Sequence, residues 1–224
     1  MDALTNAHIR RGGKKPPRNR LTSITTPQYS NFNTGVTSDY ASKENHKWFV
    51  FRATYNQVKK AFKALIKQDI TMYIPMHYVV EVKDGKKEHK LKQLLPNIIF
   101  AYITREQADS LVKKPSETSD FLKYYLDKTQ KKEISGLHPP LIIKESEMRN
   151  FIHTTSINND HIMKVTPEYC HFKTGDIIKI IDGDFKGVIG RVARVAGQQR
   201  VVVEIKGLCM IATAYIPNAF IKRV

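Results

Sequence analysis

Residues 172–192 constrain this chain most. They place two short β-rich runs on either side of the turn Gly183-Asp184-Phe185-Lys186-Gly187. Ile177, Ile178, Ile180 and Ile181 precede the turn, and Val188, Ile189 and Val192 follow it. All are β-branched, which suits a pleated, half-buried surface. Gly183 and Gly187 bracket the turn, where a left-handed backbone costs glycine little. Downstream, residues 200–205 and 211–216 read as two more strands, parted at Lys206-Gly207. Residues 172–224 are therefore expected to form a small all-β unit packed on Phe185, Val188 and Tyr215. A unit of about fifty residues buries a small share of its surface and is marginal alone.

The preceding segment mixes both periodicities. Residues 48–53 (Trp-Phe-Val-Phe-Arg-Ala) read as a strand, and residues 56–67 as a helix. That helix puts Val58, Ala61, Phe62, Leu65 and Ile66 on one face and Lys59, Lys60, Lys63 and Lys67 on the other. Residues 77–83 and 86–94 flank Asp84-Gly85, a hairpin signal because both central residues of a type I′ turn need positive φ. Residues 98–103 are wholly apolar but for the Tyr102 hydroxyl and read as a central strand. Thr104 and Gln107 have capping-box spacing at the start of a helix. Residues 121–126 add a strand, a loop rich in Lys, Gly and Pro follows, and residues 145–153 form a last helix with Met148, Phe151 and Ile152 inward. The expected fold class is α+β. Residues 46–155 form an α/β sandwich with a mostly antiparallel sheet, 156–171 a linker, and 172–224 the β unit. Residues 1–45 carry Arg10, Arg11, Lys14, Lys15, Arg18 and Arg20 with almost no apolar periodicity, and read as a flexible basic arm.

The chain has 224 residues, with 37 Lys and Arg against 21 Asp and Glu, a net charge of +16. Such an excess points to a polyanion, nucleic acid first; a merely solvated basic surface is the alternative. Residues 1–47 hold eight basic and three acidic side chains, and residues 172–224 hold nine and four. That dispersal favours backbone-type contacts from several surfaces over one recognition helix. Lys59, Lys60 and Lys63 on the helix, and Lys86 and Lys87 at the hairpin tip, are the nucleic-acid candidates. Lysines on a hairpin also blunt an open sheet edge, which is the competing reading. Cys170 and Cys209 are too few and too far apart for a metal knuckle or a redox pair. The eight histidines are scattered without a nucleophile or metal spacing, so no enzyme, metal or cofactor is expected. No stretch nears the roughly 20 apolar residues of a membrane span. With no apolar leader, a cytoplasmic location and no membrane partner are expected.

The turn at residues 183–187 with its flanking strands resembles the KOW motif of small SH3-like barrels. The whole order of elements resembles the NusG family over about residues 46–224. Lys47-Trp48-Phe49-Val50 and the following helix match the family's opening. Ile74-Pro75, Val80-Glu81-Val82 with Asp84-Gly85-Lys86-Lys87, and Leu95-Pro96-Asn97-Ile98 match its middle. Pro139-Pro140-Leu141-Ile142 and the acidic helix at 145–152 match its close. Asn97 and Ile98 stand where the family has glycine and tyrosine, and the lysine-rich loop before Pro139 is longer. With the ending at residues 207–217, these features look like the specialised UpxY-type paralogues, antiterminators of capsular polysaccharide operons.

The resemblance implies a factor that binds RNA polymerase, suppresses pausing or termination, and contacts the non-template DNA strand or nascent RNA. By position the polymerase contact is an apolar depression around Trp48, Tyr55, Leu94, Leu95, Pro96 and Ile98, although Ile98 equally suits a core role. In the KOW barrel, Phe185, Gly187 and Ile189 are the candidates for recruiting a ribosomal protein or termination factor. A general elongation factor of the same fold and a ribosome-associated RNA-binding protein are the competing readings. Residues 48–153 argue against the second, since a ribosomal KOW protein has no need of that domain.

Overall fold

The computed structural model describes residues 36–37, 39–157 and 161–224. The run from Arg10 to Arg20, and most of the arm expected over 1–45, lie outside the described residues. The described end of that arm is tied to the fold: Val36 and Tyr40 pack against the core, and the Trp48 indole N–H donates to the Tyr40 hydroxyl.

The first half is built on β1 (Lys47–Ala53), α1 (Val58–Lys67), β2 (Thr71–Tyr73), β3 (Met76–Lys83), β4 (Lys86–Gln93), β5 (Ile98–Ile103), α2 (Arg105–Val112), β6 (Leu122–Tyr124), β7 (Ile142–Ile143) and α3 (Glu145–Ser156). The antiparallel sheet runs β2-β5-β1-β6, with β7 also on β1. Successive strand residues point to opposite faces, so a strand covered on both sides must be apolar throughout. That explains β5, all six residues of which are buried. Phe49, Phe51, Ile99 and Ala101 meet α1 and α2 through Phe62, Leu65 and Leu111. Trp48, Val50, Phe100 and Tyr102 face the other way, towards Met148, Phe151 and Ile152 of α3. The α2 capping box is complete: the Gln107 N–H donates to Thr104 Oγ1 at 3.3 Å and the Thr104 N–H to Gln107 Oε1 at 3.0 Å. Strands β3 and β4 form a separate two-stranded ribbon, closed by Asp84 and Gly85 at φ +51° and +74°.

The second half holds β8 (Met163–Val165), β9 (His171–Ile180), β10 (Ile189–Val195), β11 (Gln198–Ile205), β12 (Cys209–Tyr215) and β13 (Ile221–Arg223), in the antiparallel order β13-β9-β10-β11-β12-β8. Bulges interrupt β9–β10 and β11–β12, bending the sheet. At Gly190 a Cβ would lie 2.5 Å from the Val202 carbonyl oxygen, so only glycine lets β11 pass this close. Two expectations need correction. β8 pairs with β12 and buries Val165, so residues 163–165, inside the linker expected at 156–171, belong to the sheet of the β unit. Tyr215 is exposed, whereas Phe185 and Val188 are buried.

The two halves dock. One apolar cluster runs from Trp48 and Phe100 through Phe151 and Ile152 to Phe185, Val188, Val201 and Ile211. α3 is the element between them. Its Asn150 and His153 reach the chain between β9 and β10: the Asn150 amide bonds both backbone groups of Ile189, and His153 Nε2 donates to the Lys186 carbonyl at 3.0 Å.

Candidate functional site

The apolar set expected to face a partner divides sharply. Trp48, Leu94, Leu95 and Ile98 are buried in the shared core. They offer almost no surface in this arrangement, because all four belong to the apolar cluster that also holds Met148, Phe151 and Ile152 of α3. Tyr55 is 87% exposed and Pro96 is exposed. These two sit on neighbouring turns, since the Ala53 N–H donates to the Asn97 carbonyl at 2.9 Å. The same end of the sheet carries three non-glycine residues with left-handed backbones: Tyr55 (φ +51°), Asn56 (+56°) and Asn97 (+63°). Such conformations cost roughly 1–3 kcal/mol each and gather at functional sites. Asn97 tolerates the conformation through its short polar side chain.

Trp48 is instead held under a lid formed by a residue expected to belong to the arm. Its indole N–H donates to the Tyr40 hydroxyl at 2.7 Å, and the Tyr40 and Tyr102 rings each lie 5.3 Å from its own. Arg149 stacks 4.1 Å from the Tyr40 ring and donates to the Tyr40 carbonyl and to Glu145. Burial pushes the Tyr40 phenol up to about 12, against the pull of the Trp48 N–H.

The basic candidates lie on two separate elements. Lys59, Lys60 and Lys63 are exposed on α1, and the Lys60 ammonium sits 4.5 Å from the Phe121 ring centroid, a partial cation–π contact. The base of β3 meets α3, on the sheet face opposite α1. On the ribbon, Lys90 donates to Glu81 at 2.7 Å and Lys92 donates to the same carboxylate. Those two hydrogen bonds hold Glu81 down to about 2. Among the described residues, Lys83, Lys86 and Lys87 make no ion pair, so the tip carries the ribbon's uncompensated charge. Register splits them: Lys86 pairs with Lys83 on one face, and Lys87 with Val82 on the other, beside exposed Val80 and Tyr78. The residues expected to face a separate partner from the β unit lie against α3. Phe185 is buried, Gly187 half-buried near His153, and Ile189 exposed but bonded through its backbone to Asn150.

Sequence reasoning misses Tyr40, Asn150 and His153. Tyr40 stands alone in a polar stretch and gives no periodic signal. Asn150 and His153 are three apart, which puts them on one helix stripe, but polar residues on a helix read as solvated. Among the described residues no group of His, Cys, Asp or Glu could hold a metal. None of their helices is long and apolar enough to cross a membrane.

Residues 46–152 match the family described as Transcription termination factor nusG. They form a NusG-family domain. Among solved structures, the NusG of Thermotoga maritima, from a study titled for its domain interaction, is similar at 17% identity. The similarity covers 80% of this chain and 97% of that one, with a TM-score of 0.41. No curated protein matches this chain. The NusG domain ends on α3, so the Asn150 side of that helix is where it meets the β unit.

Proposed function

We propose that the chain is a transcription elongation or antitermination factor that binds RNA polymerase through its NusG domain. NusG-family proteins bind RNA polymerase, and residues 46–152 carry that domain. The observation that carries the placement is the strained end of the sheet, where an exposed aromatic, Tyr55, and exposed Pro96 sit on adjoining left-handed turns. The polymerase contact is this rim, with Trp48, Leu94, Leu95 and Ile98 as the core that supports it. The free lysines Lys86 and Lys87 of the ribbon, with Lys59 and Lys63 of α1, contact the non-template strand or nascent RNA through phosphates.

The narrower reading is an operon-specific antiterminator of the UpxY type, acting on loci such as capsular polysaccharide operons. It rests on the long lysine-rich segment before Pro139 and on Asn97-Ile98. The β unit, read as a KOW module, then has α3 as its partner in this conformation, with a ribosomal protein or termination factor as the alternative occupant of the same face. A single-round transcription assay on a template with a strong pause tests the reading. The protein shortens the pause or raises read-through past a terminator. Unchanged pausing and termination on both a general template and a capsular leader would contradict it.

A further inference from the structure

Residues 127–139, between β6 and β7, form an ordered finger that the polymerase rim and the ribbon leave unused. Leu126 bridges Pro140 at its base, and the Asp127 N–H donates to the Pro139 carbonyl at 2.8 Å. Asp127 accepts from the Thr129 N–H and hydroxyl at 2.9 and 2.6 Å and from Gln130 at 2.7 Å. Midway, His138 Nδ1 donates to the Gln130 carbonyl at 2.8 Å. At the tip, the Glu133 N–H donates to Leu137 O at 2.7 Å, with Gly136 at φ +78°. Backbone and polar bonds hold this shape, yet its apolar side chains are turned out: Ile134 is fully exposed and Leu137 is 61% exposed. Behind them, Lys128, Lys131 and Lys132 are exposed and, among the described residues, make no ion pair. Lys206 extends this collar from the β unit, because its neighbour Gly207 lies against Asp127 and Thr129.

We propose that the finger is a second protein-docking element, whose Ile134–Leu137 tip enters an apolar pocket in an acidic surface of RNA polymerase. The proposal rests on the polymerase-factor reading above. Two aliphatic side chains held out on a rigid turn fit a pocket, and a preorganised loop loses little entropy on binding. Nucleic acid is the weaker occupant. Bases stack on aromatic rings, and the only ring between residues 127 and 139 is His138, already tied to Gln130. The lysine collar, opposed near the tip only by Glu133, sets the partner's charge as acidic by complementarity.

The test uses the full-length protein and purified core RNA polymerase. Ile134→Ser/Leu137→Ser removes the tip, and Lys131→Glu/Lys132→Glu reverses the collar; all four positions are exposed, and circular dichroism checks the fold. Each double variant is expected to lower affinity for the polymerase by about tenfold, with the collar effect shrinking at high salt. A photo-crosslinking residue at position 134 is expected to capture a polymerase subunit on a complete transcription scaffold. Wild-type binding with unchanged affinity in both variants, or crosslinking to nucleic acid alone, overturns the finger proposal and leaves the polymerase reading standing. Absence of wild-type binding overturns both.

Discussion

Asn150 holds Ile189 as a neighbouring strand would: its amide N–H donates to the Ile189 carbonyl at 2.7 Å, and its amide oxygen accepts the Ile189 N–H at 2.9 Å. A helix side chain thereby completes the first rung of β10 and fixes the β unit against the NusG domain. The adjoining apolar cluster supplies the bulk of the attraction, and the two hydrogen bonds set its register.

Replacing Asn150 with Ala removes both bonds, each worth about 0.5–1.5 kcal/mol net. Asn150→Ala is expected to speed hydrogen exchange at the Ile189 amide by about tenfold or more, with the amides of β5 unchanged. Identical exchange at Ile189 would mean that the apolar contact alone fixes the docking.

Among the described glycines of the β unit, Gly190 has the closest neighbours. Gly190→Ala would press a methyl group onto the Val202 carbonyl and Val201 Cγ1. A loss of about 1–3 kcal/mol is expected from the forced backbone shift, read as a lower Tm with the spectrum of β11 perturbed. An unaltered Tm would show that the strands have room to part.

Tyr40→Phe leaves the Trp48 indole N–H without its acceptor under a closed lid. A buried unsatisfied donor costs about 1–3 kcal/mol. Trp48 is the single tryptophan of the chain, so its fluorescence reports the site directly. A shifted emission with a lower Tm is expected; unchanged emission would place water or another acceptor at the indole.

The Lys90 and Lys92 hydrogen bonds keep Glu81 ionised down to about 2. Its folded pKa lies below the unfolded value, so whatever stability it contributes is present above the ordinary carboxylate range and is lost as pH falls from there towards 2. Carboxyl-detected titration is expected to give a Glu81 midpoint near 2. Because the pairs lie at the surface and the carboxylate is partly exposed, Glu81→Gln should barely move Tm at pH 7. A midpoint in the usual glutamate range would mean that the lysines do not hold the carboxylate in solution.

Lys86→Ala/Lys87→Ala is expected to lower the slope of log affinity against log salt on a single-stranded probe by about 1.4, roughly 0.7 for each phosphate no longer neutralised. An equal slope would remove the ribbon tip from the nucleic-acid surface.

The elements with strong local chemistry are legible in the sequence. Asp84-Gly85 announces the ribbon, Thr104 and Gln107 the α2 cap, and the apolar run at 98–103 the central strand. The resemblance names Tyr55 and Pro96 together with Trp48, Leu94, Leu95 and Ile98, and sequence alone does not separate the exposed pair from the buried four, since an apolar side chain reads alike whether it is open to solvent or covered by the chain's own helix. β8 escapes notice because three residues, two of them exposed, give no period, and its partner β12 lies over forty residues away. The docking is illegible because it depends on Asn150 and His153, polar residues whose bonds are to backbone and leave no complementary pair in the sequence.

The most direct test of the account is the affinity of the full-length protein for core RNA polymerase, compared with Tyr55→Ala. The wild type is expected to bind, and Tyr55→Ala to weaken binding by about tenfold with circular dichroism and Tm preserved, since the ring is exposed. A wild type that fails to bind, or a Tyr55→Ala protein that binds equally well, would contradict the contact proposed at the strained end of the sheet.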